Sequence, residues 1–254
     1  IAGYPSNIPL IVSDQGYGRN EFVETTKPLV VVTAPGPGSG KMAVCLSQLY
    51  HEHSLGRSAG YAKFETFPIW NLPLNHPVNI AYEAATADLS DSNMIDPFHL
   101  DAYGKTTVNY NRDIEIFPVL NAILTEISGK SPYRSPTDMG VNMAGNCIVD
   151  DQAVRRAANN EIIRRYFTAL RDRREGRIDD DSVFRSELIL KKAGLSIEYR
   201  RTVTAVRAMM RSTDRPVVAA ELADGTIVMG KASPLLTASS AMILNALKIL
   251  AGID

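Results

Sequence analysis

The stretch that most constrains the fold is a short apolar run followed by a glycine-rich loop and an amphipathic helix. Residues 29–34 read Leu-Val-Val-Val-Thr-Ala, a continuous and mostly β-branched run that predicts a strand buried on both faces. Residues 35–41 read Pro-Gly-Pro-Gly-Ser-Gly-Lys, and three glycines let the backbone of this loop approach a ligand closely. From Met42 to His53 apolar residues recur at helical spacing. Strand, loop and helix together predict a unit in which backbone N–H groups and a helix N-terminus hold phosphate.

The match to the phosphate-loop pattern G-x-x-x-x-G-K-[ST] fails at two positions. Pro35 stands where the pattern has glycine, and Met42 stands where it has the hydroxyl that ligates Mg²⁺. We therefore expect phosphate, as in a nucleotide, to bind with little contribution from Mg²⁺; the alternative is a structural turn with a solvated Lys41. A dinucleotide-binding fold is less favoured, because the pattern G-x-G-x-x-G needs a glycine at the position that Lys41 occupies. The residues predicted to bind the phosphate are Gly36, Gly38, Ser39, Gly40 and Lys41.

Composition excludes several classes of protein. The chain of 254 residues has 27 Lys plus Arg against 28 Asp plus Glu, so no overall charge favours nucleic acid or an anionic membrane. Two cysteines provide neither a disulfide framework nor a zinc cluster, which suits a reducing compartment. No apolar run is long enough to span a bilayer. We therefore predict a cytoplasmic protein whose partner is a small phosphorylated ligand, with no nucleic acid and no membrane; self-association into a homo-oligomer is left open.

The first half of the chain predicts an α/β domain, residues 1–150. Ile8–Ser13 and Gly60–Glu65 have strand patterns, and a βαβ crossover would make the second a parallel neighbour of residues 29–34. Residues 91–146 are polar and loop-rich, which is typical of a lid or binding surface more than of a core. Within them we expect a helix between Ile114 and Ile127, with Pro118 as its first residue.

The second half, residues 151–254, predicts a mainly helical subdomain. Apolar residues at helical spacing follow Asp151, and a further helix is expected from Asp181 to Ala193, closed by Gly194. Two β-type runs flank Asp224-Gly225, which is a hairpin signal. The fold class is therefore α/β: a parallel sheet with a phosphate-loop-like unit, a largely helical insertion or subdomain, and a small hairpin.

Three further side chains are candidates for catalysis. Lys63 lies on the predicted strand beside the glycine loop, where ligands of doubly wound sheets bind. Arg112, in the polar cluster 109–113, is suited to clamp phosphate or carboxylate; the alternative is an Arg–Asp pair that holds a loop. Asp96, three residues before His99, can bind a metal or exchange protons, although Asp before Pro is equally a turn former.

Several unusual strings give the chain a resemblance to a known family. They are VVVTAPGPGSGK, AGYAKFETFPIWNLPL, HPVNIAYEAATADL, NMIDPFHL, TTVNYNRDIEIFPVL and SPTDMGVNM. With them the chain resembles the bacterial family that has domain of unknown function 1846, also called uncharacterised protein family 0371. The resemblance implies that the chain, which starts at Ile1, is an internal fragment, and it implies no established activity. The order of phosphate loop, helix and Lys63 also resembles dethiobiotin synthetase-like enzymes, which implies that Lys63 helps to hold phosphates.

Two function classes follow from these patterns. The first is a protein that binds a phosphate-bearing small molecule at the glycine loop and, as an enzyme, transfers a phosphoryl or nucleotidyl group. The second is a non-enzymatic regulatory or scaffold protein that senses a nucleotide without turning it over. The hydroxyl missing at Met42 favours the second class.

Overall fold

The computed structural model describes residues 1–36, 38–89 and 91–253. The chain divides into two compact units, Ile1–Asp151 and Gln152–Asp254, which are described separately. Both contain helices and short strands, so the prediction of a mixed α/β protein is confirmed.

Unit 1 is a helical layer with two small sheets. Its strands are too short to form the extended parallel sheet that the sequence predicted. Its helices are α1 (Ile8–Ile11), α2 (Lys41–Ser54), α3 (Pro77–Ala85), α4 (Pro97–Tyr103), α5 (Asn111–Ser128) and α6 (Pro136–Met139). Its strands are β1 (Lys63–Phe64), β2 (Asn93–Ile95), β3 (Val108–Tyr110) and β4 (Gly140–Val141).

The predicted strand at residues 29–34 is wrong. These residues form no regular element, and the side chains of Leu29 and Val31 are 78% and 77% exposed. β-branched residues favour a strand only where a neighbouring strand and an apolar face receive them. The strand that precedes the glycine loop in a phosphate-loop unit is therefore not confirmed, although α2 follows the loop as predicted.

The parallel pairing of unit 1 involves a different partner from the one predicted. β1 pairs in parallel with β4, Lys63 opposite Gly140 and Phe64 opposite Val141. The Glu65 N–H extends this ladder by donating to the Val141 carbonyl at 2.9 Å. β2 and β3 form an antiparallel pair in which Asn93 lies opposite Tyr110. The two pairs place Lys63 and Tyr110 at strand positions of fixed register.

The helix expected between Ile114 and Ile127 is confirmed as α5, whose apolar side chains contribute to the buried cluster of unit 1. It begins at Asn111, seven residues before Pro118, which lies inside the helix. The free energy gained by packing its apolar side chains outweighs the loss of the one backbone hydrogen bond that the proline cannot donate. The buried cluster of unit 1 consists of Ile11, Tyr17, Leu46, Leu49, Leu120, Ile123, Leu124 and Met139.

The predicted strand at Ile8–Ser13 is also wrong, because Ile8–Ile11 form α1. The Asn7 side chain accepts a hydrogen bond from the Leu10 N–H at 3.1 Å and so caps this helix. Pro9 lies in its first turn, where a missing N–H costs nothing.

Unit 2 is mainly helical with one hairpin. Its elements are α7 (Asp151–Arg174, which begins at the last residue of unit 1), α8 (Asp180–Lys192), α9 (Arg201–Met210), β5 (Val217–Glu221), β6 (Ile227–Lys231) and α10 (Ala238–Leu250). The antiparallel pair β5–β6 and the helix α8 agree with the sequence predictions to within one or two residues. α10 packs on the hairpin, where Gly230 of β6 leaves no room for a side chain.

Candidate functional site

The glycine loop turns into α2 through two left-handed glycines. Gly38 and Gly40 have φ angles of 70° and 86°, a conformation that L side chains rarely adopt. The Lys41 ammonium donates to the Gly36 carbonyl at 2.8 Å and to Ser39 Oγ at 3.0 Å. Pro37, part of the predicted loop, lies outside the described residues. Lys41 thus folds back over its own loop, close to the start of α2.

The N-terminus of α2 has no side-chain cap among the described residues. Its N-cap residue, Gly40, contributes only backbone. Among the described helices α5 and α9 likewise begin without a side-chain cap, whereas Asp179 caps α8 and Thr237 caps α10 through side-chain oxygens. The first N–H groups of a helix lack partners within the helix, and those of α2 have no side-chain acceptor in the described part of the chain. They add to the positive potential that the helix dipole creates at this end.

A second polar cluster surrounds Lys63. Its ammonium lies 2.7 Å from Glu65 Oε1 and also contacts Asp113 Oδ2 and the Tyr110 hydroxyl. It sits 4.5 Å from the centroid of the Tyr110 ring. β1 supplies the lysine, β3 the tyrosine and the first turn of α5 the aspartate. We call these four residues, Lys63, Glu65, Tyr110 and Asp113, the Lys63 cluster.

Burial dominates the electrostatics of the Lys63 cluster. The Glu65 side chain is 8% exposed, and burial raises the pKa of its carboxyl, with the charge of Asp113 adding to the effect and Lys63 opposing it. Burial also raises the pKa of the Tyr110 hydroxyl, with the charges of Asp113 and Glu65 acting in the same direction. Burial is therefore the largest cause of both shifts.

Arg112 lies beside the same tyrosine. Its guanidinium is 5.7 Å from the Tyr110 ring centroid and forms a bidentate pair with Asp91, with distances of 2.6 Å from Nε and 2.8 Å from the second nitrogen. This hydrogen bonding is the main cause of a raised Arg112 pKa. Lys63 and Arg112 therefore lie near one ring, and both are already paired with carboxylates. The Arg–Asp pair anticipated as the alternative does form, with Asp91 as the partner.

Asp96 lies apart from these contacts in the cap of α4 and is fully buried. One carboxylate oxygen accepts from the His99 N–H at 3.0 Å. The other accepts from the Thr137 N–H at 3.2 Å and from the Thr137 hydroxyl at 2.6 Å. With both oxygens engaged, the geometry accounts for Asp96 as the group that joins α4 to α6.

Sequence reasoning did not single out Tyr110 or Asp91 as members of a site. Tyr110 stands between the two asparagines of the polar cluster and three residues before Asp113, a spacing that places the pair at the start of α5. That spacing was the available signal for Tyr110. No sequence signal indicated Asp91, because its partner Arg112 lies 21 residues further along the chain.

Sequence similarity places the chain in a class of bacterial proteins defined by family membership. Residues 1–194 match the N-terminal domain of unknown function DUF1846, and residues 198–254 match the DUF1846 C-terminal domain. The chain therefore belongs to the DUF1846 family.

Its relatives have names that define no activity. It is 61% identical over all 254 residues to a UPF0371 protein of Corynebacterium urealyticum and 60% identical to one of Corynebacterium diphtheriae. A UPF0371 protein of Streptococcus thermophilus is 56% identical over the same length. In each case the whole chain is covered, but only 51% of the relative. The chain thus spans about half the length of these relatives.

Of the helices in residues 1–36, 38–89 and 91–253, none is both long and apolar enough to cross a membrane. Among the same residues, no group of three or more His, Cys, Asp or Glu side chains is arranged to hold a metal ion.

Proposed function

We propose that this protein binds a phosphate-bearing small molecule, such as a nucleotide, at the glycine loop. The observation that supports the proposal most is the N-terminus of α2, which no side chain caps within the described part of the chain. Left-handed glycines precede this end, and Lys41 and Ser39 stand beside it. Backbone N–H groups, a helix dipole, an ammonium and a hydroxyl are the groups that bind phosphate in proteins.

The contacts of Lys41 are suited to exchange on binding. In the structure its ammonium is satisfied by a neutral carbonyl and a hydroxyl of its own loop. A phosphate oxygen is a charged acceptor and forms a stronger hydrogen bond with an ammonium than a neutral acceptor does. The exchange requires only rotation of the lysine side chain, because the loop itself is already turned around Gly38 and Gly40.

The protein could act on the bound molecule in one of two ways. As an enzyme the protein would transfer a phosphoryl or nucleotidyl group; as a sensor it would bind the nucleotide unchanged. Met42 supplies no hydroxyl for Mg²⁺, and the candidate catalytic cations Lys63 and Arg112 are both in ion pairs, which favours the sensor. Incubation with ATP and Mg²⁺, followed by analysis of released phosphate and of the nucleotide, distinguishes the two roles. Turnover of ATP by the unsubstituted protein that is lost in Lys41→Ala would show that the protein is an enzyme.

Replacing Lys41 with alanine should weaken the binding of pyrophosphate and ATP. A hydrogen bond to a charged group contributes about 1.5–3 kcal/mol, so we expect the dissociation constant to rise roughly ten- to a hundredfold. Isothermal titration calorimetry on the 254-residue chain measures it. Lys27→Ala is the matched control, since it removes an exposed lysine of the same charge elsewhere. Equal affinities of the two variants, or no binding by the unsubstituted chain, would refute the proposal.

A further inference from the structure

Residues 29–34, which we call the 29–34 segment, expose apolar side chains and backbone groups that have no partner in the described structure. The side chains of Leu29, Val30 and Val31 are 78%, 49% and 77% exposed. Within residues 1–36, 38–89 and 91–253, no backbone–backbone hydrogen bond involves this segment. An exposed β-branched run with unpaired N–H and C=O groups is a template for pairing with another strand.

The sequence around the 29–34 segment has no charge that would protect such a surface. No charged residue lies between Lys27 and Lys41. Proteins keep exposed strand edges from pairing with other chains by placing charged side chains, above all lysine, along them. The composition of this segment is instead that of a strand covered on both faces, which indicates that another part of a protein covers it.

The 29–34 segment is attached to α2 on both sides. Before it, the Gln48 side chain accepts from the Val23 N–H at 3.2 Å and donates to the Val23 carbonyl at 2.8 Å. After it, α2 itself begins at Lys41. Because both attachments restrict the segment already, pairing with a strand costs it less conformational entropy than it would cost a free chain end.

The lengths of the relatives indicate where a partner strand is found. The chain covers only 51% of each UPF0371 relative, so about half of each of these proteins lies outside the matched region. The strands described in unit 1 pair only with one another, β1 with β4 and β2 with β3. A second copy of the chain is a poorer partner, because two identical exposed segments would form a two-stranded ribbon with both faces in water, which is marginally stable.

We propose that the 29–34 segment is a docking edge for an apolar β-strand, and that this strand belongs to the half of the UPF0371 proteins that the chain does not span. Pairing would satisfy the backbone groups of the segment, and the added part of the protein would cover its side chains. The run forms no strand in the structure because its partner is supplied from outside these 254 residues. The proposal does not depend on phosphate binding at the glycine loop.

Hydrogen exchange tests the proposal by comparing the 254-residue chain with the full-length UPF0371 protein of Corynebacterium urealyticum. In the chain, the amides of the 29–34 segment should exchange nearly as fast as those of an unstructured peptide, because no hydrogen bond protects them. The aligned amides of the full-length relative should exchange at least about a hundredfold more slowly. The amides of α5 are the control, since they should be protected in both proteins.

A proline at the position of Val31 tests whether this protection comes from strand pairing. Proline has no N–H to donate and is not accepted inside a paired strand. In the full-length relative, proline at the aligned position should bring the exchange of the neighbouring amides to within about threefold of the rates in the 254-residue chain. Threonine there, which keeps the N–H and the β-branch, should preserve the protection. In the 254-residue chain, Val31→Pro should leave the protection of α5 unchanged.

Three outcomes would overturn the proposal. The first is fast exchange of the aligned amides in the full-length relative, and the second is protection that survives the proline. The third is protection that appears in the 254-residue chain as its concentration rises, because a second copy would then occupy the edge. If proline also removes the protection of α5, the comparison of the two unsubstituted proteins decides. Failure here leaves the phosphate proposal standing, since no phosphate is present in these measurements.

Discussion

Replacing Asp96 with alanine should lower the free energy of unfolding of unit 1 by about 3 kcal/mol. The carboxylate is fully buried and accepts three hydrogen bonds, one from His99 in the first turn of α4 and two from Thr137 in α6. Alanine removes the helix cap, worth about 1 kcal/mol. It also leaves the buried Thr137 N–H without an acceptor and the Thr137 hydroxyl with only Thr107 Oγ1, at 3.0 Å, which costs about 2 kcal/mol more. Urea unfolding followed by Trp70 fluorescence reports on this unit.

The matched control for this substitution is Asp101→Ala. Asp101 is exposed on the same helix, so its loss should change stability by less than about 0.5 kcal/mol. Asp96→Asn keeps an amide oxygen for the cap and should fall between the two. If Asp96→Ala unfolds like the unsubstituted protein yet abolishes turnover of a nucleotide, Asp96 is catalytic, and its assignment as a structural cap is wrong.

Replacing Gly230 with alanine should destabilise unit 2 by about 3 kcal/mol, at the upper end of overpacking effects. A Cβ added at this residue would lie 2.2 Å from the backbone nitrogen of Met242 and 2.3 Å from the carbonyl oxygen of Ala238. Both atoms belong to the backbone of α10, so no side-chain rotation relieves the clash. The helix must move away from the hairpin, and their shared apolar contacts are lost.

Hydrogen exchange of the β5 and β6 amides measures this effect locally. We expect exchange to accelerate roughly a hundredfold in Gly230→Ala, as a loss of about 3 kcal/mol implies when opening is at equilibrium. Gly60→Ala is the control for replacing a glycine with alanine, because a Cβ added at Gly60 would have no atom within 4 Å. Unchanged protection of the hairpin would show that α10 packs on β6 less closely than the structure indicates.

The elements that sequence patterns predicted well are those specified by nearby residues. The apolar stripe after the glycine loop predicted α2 to within one residue at each end, and Asp224-Gly225 predicted the hairpin. The strand at residues 29–34 failed because β-structure depends on a distant partner. The short parallel pair is an example. Lys63 pairs with Gly140, 77 residues further along the chain, and no pattern in the residues near Lys63 predicts this pairing.

The sequence predicted which cationic residues belong to the candidate site, but not which residues they pair with. Lys63 and Arg112 were chosen as cations, and the structure places both beside the Tyr110 ring. Their ion pairs with Asp113 and Asp91 join distant parts of the chain, so spacing could not show that their charges are already balanced.

The central claim, that the glycine loop binds phosphate, is tested most directly by the backbone amides themselves. Titration of the ¹⁵N-labelled chain with pyrophosphate, followed by amide NMR, reports on each N–H group at the start of α2. If phosphate binds there, saturable downfield shifts are expected at the amides of Gly38, Gly40, Lys41 and Met42, with smaller changes in unit 2. Shifts confined to other residues, or no saturable shift in the loop, would contradict it.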